Sequence, residues 1–309
     1  MREVSLNPPE SKPNPPEPKP NPPEPKPPGP AGDRAVIATA YEREVARMYD
    51  EKQDDFNLLL GKETHLVHHH FGIGDFDRSP GALRDEPDIQ RRLHELENAQ
   101  TERLLDLLTG IGPEHHVFDG GSGRGGTAFM AHERLGCHVD GATISRYQRE
   151  FAERSARERG CDAKVRFHFM NMLRTGLPTA CMDAALTNEV TMYIELPVLF
   201  KELARIVKPG GRYVLATWAV DERGSAGDVI AAIDRHYACT MHTRGAYLKA
   251  LLDAGFVPHH VAQMDGDALP YWELRQRSEH SDTIEKLFID GYRASTIAYL
   301  MVAAERVGR

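Results

Sequence analysis

The sequence of 309 residues contains few cysteines and has a deficit of positive charge. Its four cysteines are scattered, without a Cys-x-x-Cys pair or the spacing of metal ligands, so we expect reduced thiols rather than disulfides or a metal site. Lys and Arg total 38 against 46 Asp and Glu, which gives a net charge of −8. A nucleic-acid-binding domain usually carries the opposite balance, so no nucleic-acid partner is expected.

Long apolar runs are also missing. No stretch approaches the roughly 18 consecutive apolar residues that indicate a transmembrane helix. The amino terminus lacks the charged-then-apolar order of a secretory signal peptide. We therefore expect a cytoplasmic protein with no membrane association.

Proline is abundant, but 13 of the 21 prolines precede Ala31. The heptapeptide Lys-Pro-Asn-Pro-Pro-Glu-Pro occurs twice in tandem, at 12–18 and 19–25. Proline has no amide donor, and the segment lacks the apolar side chains that could form a core. These features predict a disordered, polyproline II-like arm over residues 1–31.

The rest of the chain divides into two regions. Apolar residues at helical spacing predict one or two helices over 35–60 and a long helix over 88–112, with glycines as its C-terminal signals. We assign residues 32–112 to an N-terminal helical lid region. Residues 113–309 then form a core domain with inserted substrate-cap segments, among them a helical insertion that forms a lid.

The core region alternates between predicted strands and helices. Early strands are predicted at 115–119, 137–141, 164–169 and 182–187. The alternation predicts an α/β fold built on a doubly wound, seven-stranded sheet. Ligands bind such sheets at the carboxyl ends of the strands. The residues predicted there are Asp119, Thr143, Asn171, Asn188 and Trp218.

A glycine-rich turn follows the first strand. Five glycines stand within 120–126, directly after Asp119. The pattern fits the dinucleotide fingerprint, and it also fits the acidic-x-Gly-x-Gly loop of class I methyltransferases. Dinucleotide enzymes place an acidic residue about twenty residues after the glycine turn. This criterion does not distinguish the two interpretations, because Asp140 lies near that position but Thr143 occupies the strand end. Asp119 favours the methyltransferase, since a carboxylate repels a pyrophosphate and attracts an ammonium group.

Several segments resemble class I S-adenosylmethionine-dependent methyltransferases. Lys-Pro-Gly-Gly at 208–211 is similar to the segment that opens their fifth strand, and Thr-Ile-Ser-Arg-Tyr-Gln at 143–148 is similar to the sterol and cyclopropane-fatty-acid enzymes. Segments 68–77, 187–193 and 269–278 together resemble the geranyl diphosphate C-methyltransferases. The likeness covers residues 35–307 and implies the class I methyltransferase fold.

The resemblance implies S-adenosylmethionine as cofactor and geranyl diphosphate as small-molecule substrate. The product would be (E)-2-methylgeranyl diphosphate, on the route to 2-methylisoborneol, and Mg²⁺ would bind mainly through the substrate diphosphate. Another prenyl diphosphate, a sterol or a lipid alkene stays open as the methyl acceptor, and we also expect a homo-oligomer. The expected cofactor-binding residues are Gln100, Asp119, Gly121, Gly123, Thr143, Gln148, Asn171, Met172 and Asn188.

Methyl transfer to C2 of geranyl diphosphate would leave a tertiary cation at C3, so the site needs one base and electron-rich aromatic faces. Glu189 follows the fourth strand, where this fold presents the methyl group, and we predict that it is the base. Glu195 is the nearest competing acid, but its place at a helix start favours a capping role. The residues expected to contact the substrate are His70, Phe71, Tyr193, Trp218, Tyr237 and Tyr271, with Trp272 as a further aromatic candidate.

The run His68-His69-His70 resembles a set of metal ligands in composition only. Adjacent side chains point in different directions in a helix or a strand, so three neighbours seldom share one ion. We expect no protein-ligated metal and place the run in a loop over the cofactor.

Deletion of residues 1–30 is predicted to leave turnover nearly unchanged, because the arm precedes every segment that carries the resemblance and cannot form a core. Steady-state kinetics of the truncated and the full-length protein would test this. A fall in turnover of more than about tenfold, roughly 1.4 kcal/mol in the barrier, would contradict it.

Overall fold

The computed structural model describes residues 36–79, 81–224 and 227–308. The arm predicted over 1–31 lies outside these residues. Helices α1 (Ala40–Glu51), α2 (Phe56–Leu60) and α3 (Glu86–Leu105) precede the sheet. Each begins at a side-chain cap, because Thr39, Asp55 and Asp85 accept hydrogen bonds from amides that the first helical turn leaves unpaired.

The described residues form a seven-stranded sheet in the order β3-β2-β1-β4-β5-β7-β6. Strands β1 to β5 pair in parallel, whereas β7 is antiparallel to both β5 and β6. The predicted doubly wound, seven-stranded α/β fold is confirmed. The strands are β1 (His116–Gly120), β2 (His138–Thr143), β3 (Val165–Phe169), β4 (Met182–Asn188), β5 (Val207–Val220), β6 (Phe256–Gln263) and β7 (Ile297–Arg306).

Helices connect the strands on both sides of the sheet. They are α4 (Gly126–Leu135), α5 (Arg146–Glu158), α6 (Leu196–Ile206), α7 (Asp228–Tyr237), α8 (Arg244–Ala254), α9 (Asp265–Arg275) and α10 (Thr283–Arg293). A short 3₁₀ turn, Thr191–Tyr193, follows β4. None of the described helices has the length and apolar character needed to cross a membrane.

Alternate residues of the central strands enter two separate cores. Val117 and Leu186 belong to one buried cluster, while their neighbours Phe118 and Ala185 belong to the other. Because successive side chains of a strand point to opposite faces, the sheet is covered on both sides. The continuous buried run 213–219 of β5 fits a strand enclosed in this way.

Helix α3 is shorter than predicted. It ends at Leu105, so the prediction that it reaches the glycines near 112 was wrong by about two turns. The amides of Leu107 and Leu108 bond to carbonyls three residues back, which tightens the last turn. Arg134 of α4 pairs with Asp106 and holds this end of the helix.

The last turn of α1 and the segment that joins it to α2 are fixed to the sheet by polar contacts. Asp50 accepts hydrogen bonds from the Ser145 hydroxyl at 2.6 Å and the Tyr147 amide at 3.1 Å. Arg124, in the glycine turn, is buried and pairs with Asp55 at 2.7 Å. These partners follow β2 and β1, so the segment lies over the carboxyl ends of those strands.

Candidate active site

A cleft lies at the carboxyl ends of the parallel strands and encloses about 790 Å³, its mouth included. Helix α1 contributes Tyr41, Glu42 and Val45 to its wall. The structure brings together here most of the residues that the sequence placed at the strand ends. These are Gly121, Gly123, Thr143, Gln148, Asn171, Met172, Asn188, Glu189 and Tyr193.

The glycine turn requires glycine for two reasons. Gly121 and Gly123 have φ values of +80° and +54°, a backbone region that favours glycine. A Cβ on Gly121 would stand 2.6 Å from Val190 Cγ2, and one on Gly123 would stand 3.3 Å from His69 Cδ2. The turn therefore leaves a bare surface that an extended ligand can approach closely.

Asp119 lies at the end of β1 and is 1% exposed. Its Oδ2 has no hydrogen-bond partner among the described residues. Burial raises the pKa of this carboxyl to about 7. A buried carboxylate is costly unless a ligand supplies positive charge or hydrogen-bond donors. Although Asp119 does not itself line the cleft, its unpartnered oxygen two residues before Gly121 fits the amino group of S-adenosylmethionine.

The ends of β2 and β3 present polar groups to the same cleft. Thr143 Oγ1 donates to Gln148 Oε1 at 2.9 Å, which fixes both side chains beside the cleft. Asn171 ties α1 to the end of β3, because its Nδ2 donates to Glu42 Oε1 at 2.8 Å and to the Val36 carbonyl oxygen at 3.1 Å. A contact between Asn171 and the adenine stays a prediction.

A second cavity, of about 930 Å³ with its mouth, adjoins the first. Tyr49, His69, Glu189 and Tyr193 line both cavities, so the two spaces meet at these residues. The predicted substrate-contacting residues that line the second cavity are Phe71, Tyr193, Trp218 and Tyr237. The other end of the second cavity is polar and partly exposed, with Lys52, Asn57, His236, Arg275, His280 and Asp282.

The aromatic wall of the second cavity is packed against a further layer of rings. Phe71 lies 4.3 Å from Trp272, between ring centroids, and Trp272 stacks on Phe288 at 3.9 Å. Phe288 is also 5.1 Å from Trp218. Trp272 thus supports Phe71 from behind and does not line the cavity. The packing holds the faces of Phe71 and Trp218 in fixed orientations.

Glu189 stands where the two cavities meet. Its backbone amide donates to the Ala216 carbonyl oxygen of β5 at 2.9 Å, which fixes the residue at the edge of the sheet. Its φ of +49° is unusual outside glycine, and such strain is common at functional sites. The side-chain Oε1 accepts hydrogen bonds from the Tyr299 hydroxyl at 2.6 Å and the Phe71 amide at 3.2 Å.

The other carboxyl oxygen, Glu189 Oε2, has no hydrogen-bond partner among the described residues. Burial raises the pKa of Glu189 to about 8, against the opposing effect of the donors Tyr299 and Phe71. The indole Nε1 of Trp218 approaches the same carboxyl but completes no hydrogen bond. The described part of the chain provides neither a helix N-terminus nor an arginine for this side chain. One carboxyl oxygen is therefore held by two donors, and the other is left without a partner among the described residues.

His70, which the sequence predicted to contact the substrate, lines neither cavity. Its Nε2 lies 2.9 Å from His68 Nδ1 and 2.8 Å from Thr101 Oγ1. The adjacent His69 lines both cavities instead, and its Nε2 has no partner among the described residues. Burial lowers the pKa of all three histidines, which keeps them neutral at physiological pH. The described residues hold no group of three His, Cys, Asp or Glu side chains placed to bind a metal ion.

Tyr271 and Gln100 also lie outside both cavity walls. The Tyr271 hydroxyl donates to Glu97 Oε1 of α3 at 2.9 Å. The Gln100 amide nitrogen donates to Asn188 Oδ1 at 2.8 Å and to the Tyr299 hydroxyl at 2.9 Å. Gln100 therefore holds Asn188, and Tyr271 pairs with Glu97, whereas the sequence predicted direct ligand contacts for both.

Sequence reasoning missed Tyr49, Lys52 and Asp55, which line the second cavity from the last turn of α1 and the segment after it. The signal that could have found them is the charged run 50–55, since it interrupts an apolar helical pattern directly before an aromatic residue. Tyr299 has no such signal, because it stands inside a buried apolar strand.

The affinity for S-adenosylmethionine is predicted to fall as the pH drops through about 7. The folded-state pKa of Asp119 is raised to about 7, and only its carboxylate form attracts the amino group. Calorimetric titrations on either side of this pH would measure the slope. Asp119→Asn should weaken binding and remove the slope, and it should raise the Tm of the ligand-free protein above pH 7 because a buried charge is lost. A slope that survives in this variant would refute the assignment.

Gly121→Val is predicted to abolish S-adenosylmethionine binding in calorimetry and to leave the circular dichroism spectrum nearly unchanged, because its side chain meets Val190 in the cleft. Gly176→Val is the matched control, since Gly176 has a φ of +68° but nothing lies within 4 Å of its Cβ position. Both variants carry backbone strain, and only the first should lose the ligand. Equal binding by the two variants would contradict the role of the glycine turn.

Comparisons with known proteins agree with this geometry. A methyltransferase domain family model matches residues 118–215. The geranyl diphosphate 2-C-methyltransferase of Saccharopolyspora erythraea is 42% identical over 279 residues, 89% of this chain and 98% of that protein. The crystal structure of geranyl diphosphate C-methyltransferase from Streptomyces coelicolor, in complex with Mg²⁺, geranyl-S-thiolodiphosphate and S-adenosyl-L-homocysteine, is 41% identical, with a TM-score of 0.85 over 88% of this chain and 99% of that one. The resemblance inferred from the sequence is confirmed, and the chain belongs to the geranyl diphosphate 2-C-methyltransferase family, with the class I methyltransferase fold.

Proposed function

We propose that this chain transfers the methyl group of S-adenosylmethionine to C2 of geranyl diphosphate, and that Glu189 then removes the C2 proton. The observation that carries the proposal is the buried Glu189 carboxyl at the junction of the cleft beside the glycine turn and the aromatic cavity. The Streptomyces coelicolor relative, which holds Mg²⁺, a geranyl diphosphate analogue and S-adenosyl-L-homocysteine, supports the same pair of ligands.

The first cavity fits the cofactor, which supplies an electrophilic methyl group when bound. Asp119 offers the amino group a carboxylate oxygen that has no partner within the described part of the chain. The bare turn at Gly121 and Gly123 lets a methionyl chain lie close to the backbone. Thr143, at the end of β2, and Gln148, in the first turn of α5, offer the ribose hydroxyls hydrogen-bond partners.

Glu189 is the base in this proposal. Addition of the methyl group to C2 moves the positive charge to C3, and loss of the C2 proton returns an electron pair to form the C2–C3 double bond. Oε2 accepts the proton, because Oε1 is already occupied by two donors. The pKa of about 8 describes the cavity without a cation, and positive charge in the cavity favours the carboxylate form.

The aromatic wall stabilises the cation without reacting with it. Phe71, Trp218 and Tyr237 line the second cavity, with the Phe71 and Trp218 rings 6.0 Å apart and the Trp218 and Tyr237 rings 5.2 Å apart. Ring faces attract positive charge and offer no strong nucleophile. The aromatic end of the cavity also keeps water from trapping the cation before proton loss.

The polar end of the second cavity fits the diphosphate. Lys52 and Arg275 provide positive charge there, and an Arg guanidinium and a Lys ammonium both bind phosphate oxygens. Mg²⁺ bound with the diphosphate would neutralise further charge. Asp55, whose Oδ2 has no partner among the described residues, and Asp282 are the carboxylates at this end that could hold the ion.

The same polar end favours a prenyl diphosphate over a sterol or a lipid alkene, the other acceptors that the sequence left open. A neutral lipid has no phosphate group that could bind Lys52 and Arg275. The place of the product on the route to 2-methylisoborneol stays a prediction. A cytoplasmic location, a homo-oligomeric state and the boundaries 32–112 and 113–309 also stay predictions.

Glu189→Gln is predicted to lower the formation of 2-methylgeranyl diphosphate by roughly 10²- to 10⁴-fold, the usual range for loss of a general base. The variant keeps the shape of the side chain and removes its basic oxygen, so cofactor affinity should change little. Mass spectrometry of the products formed from labelled S-adenosylmethionine would measure the effect.

Glu195→Gln is the matched control for this prediction. Glu195 is exposed at the start of α6, and its side chain makes no capping hydrogen bond. Activity should remain near that of the unmodified protein. A Glu189→Gln variant that still makes the product at the normal rate would rule out Glu189 as the base.

A further inference from the structure

Tyr299 touches Glu189 but lines neither cavity. It lies on β7, is 1% exposed, and its hydroxyl is 2.6 Å from Glu189 Oε1 and 2.9 Å from Gln100 Nε2. We propose that Tyr299 is a positioning residue that fixes Glu189 so that Oε2 alone abstracts the proton, and that it thereby selects the C2 proton over the other protons of the cation. This inference rests on the proposed role of Glu189 as the base.

The direction of each hydrogen bond in this group follows from the carboxylate. An ionised Glu189 can only accept, so the Tyr299 hydroxyl must donate to Oε1. That hydroxyl then accepts from Gln100 Nε2. Gln100 is held in this orientation by a reciprocal amide pair with Asn188, with distances of 2.8 and 2.9 Å. The hydrogen-bonded series Asn188–Gln100–Tyr299–Glu189 therefore has one assignment of donors and acceptors.

The hydrogen bonds to Oε1 are kept during the proton transfer. When Oε2 takes the proton, Oε1 remains an acceptor, so the donors Tyr299 and Phe71 keep their places. The two donors belong to different parts of the fold, β7 and the loop before α3, so rotation of the carboxyl group would break both hydrogen bonds. A base that need not reorganise during proton transfer is preorganised for it.

The position of the accepting oxygen matters because the cation can lose a proton in three ways. A tertiary cation at C3 has protons on the neighbouring carbons C2, C4 and the C3 methyl group. In each case the C–H electron pair becomes the new double bond and the proton moves to Oε2, so the three products differ only in the position of that bond. Only loss from C2 gives 2-methylgeranyl diphosphate.

Tyr299→Phe in the full chain tests the proposal, with S-adenosylmethionine, geranyl diphosphate and Mg²⁺ as reactants. We expect a fall in kcat of about tenfold or more, a KM for S-adenosylmethionine that changes little, and methylated isomers with the double bond displaced from C2–C3. Gas chromatography with mass spectrometry of the dephosphorylated products would separate the isomers. A normal rate with a single product, or a lower rate with a single product, would overturn the positioning role.

Two further variants separate the possible outcomes. Tyr213→Phe removes another buried tyrosine hydroxyl from the same sheet, one bonded to Thr187 Oγ1 at 2.6 Å, and should leave the isomer ratio unchanged. If Tyr299→Phe fails to fold, Gln100→Leu removes the donor that orients the Tyr299 hydroxyl. The same isomers are then expected, and their absence would overturn the proposal.

The double variant with Glu189→Gln distinguishes this inference from the proposed function. If Tyr299 acts through Glu189, Tyr299→Phe should lower kcat no further in the Glu189→Gln background, and an additional tenfold loss would overturn the positioning role. Full activity of Glu189→Gln alone would instead refute the base assignment on which the inference rests.

Discussion

The site depends on two buried carboxyl groups, those of Glu189 and Asp119. Each has one oxygen without a hydrogen-bond partner among the described residues, and burial raises their pKa values to about 8 and about 7. Such burial is destabilising in the free protein. The proposed ligands relieve it, since the cofactor carries an amino group and a sulfonium and the reaction forms a carbocation. The carboxyl groups of Asp119 and Glu189 therefore both favour the binding of positive charge.

The strand order explains why Asp119 and Glu189 are neighbours in space. Asp119 lies near the carboxyl end of β1, Glu189 directly follows β4, and β1 and β4 are parallel neighbours. The last turn of α1 and the start of α2 lie over the carboxyl ends of β1 and β2, where Asp50 accepts a hydrogen bond from Ser145 and Asp55 pairs with Arg124. Tyr49, His69, Glu189 and Tyr193 line both cavities, so the two cavities share walls.

The sequence predicted the site residues whose positions follow from a local pattern of residues. Gly121, Asp119 and Glu189 could be located because the alternation of strands and helices marks strand ends, and ligands bind there. The sequence could not distinguish His69 from His70, because loop backbone angles decide which side chain faces the cavity. Nor could it find Arg275, which reaches the second cavity only through tertiary packing of α9.

The histidine run can now be explained without a metal. His68 and His70 are buried beneath the loop, where His68 Nε2 lies 2.9 Å from Asn98 Oδ1 and His70 bonds to Thr101, both on α3. Burial lowers their pKa values and so favours the neutral imidazoles. The loop anchored in this way carries Phe71, whose amide donates to Glu189 and whose ring forms the aromatic wall. Helix α3 thus supports both donors to Glu189, since His68 and His70 anchor the loop of Phe71 and Gln100 donates to Tyr299.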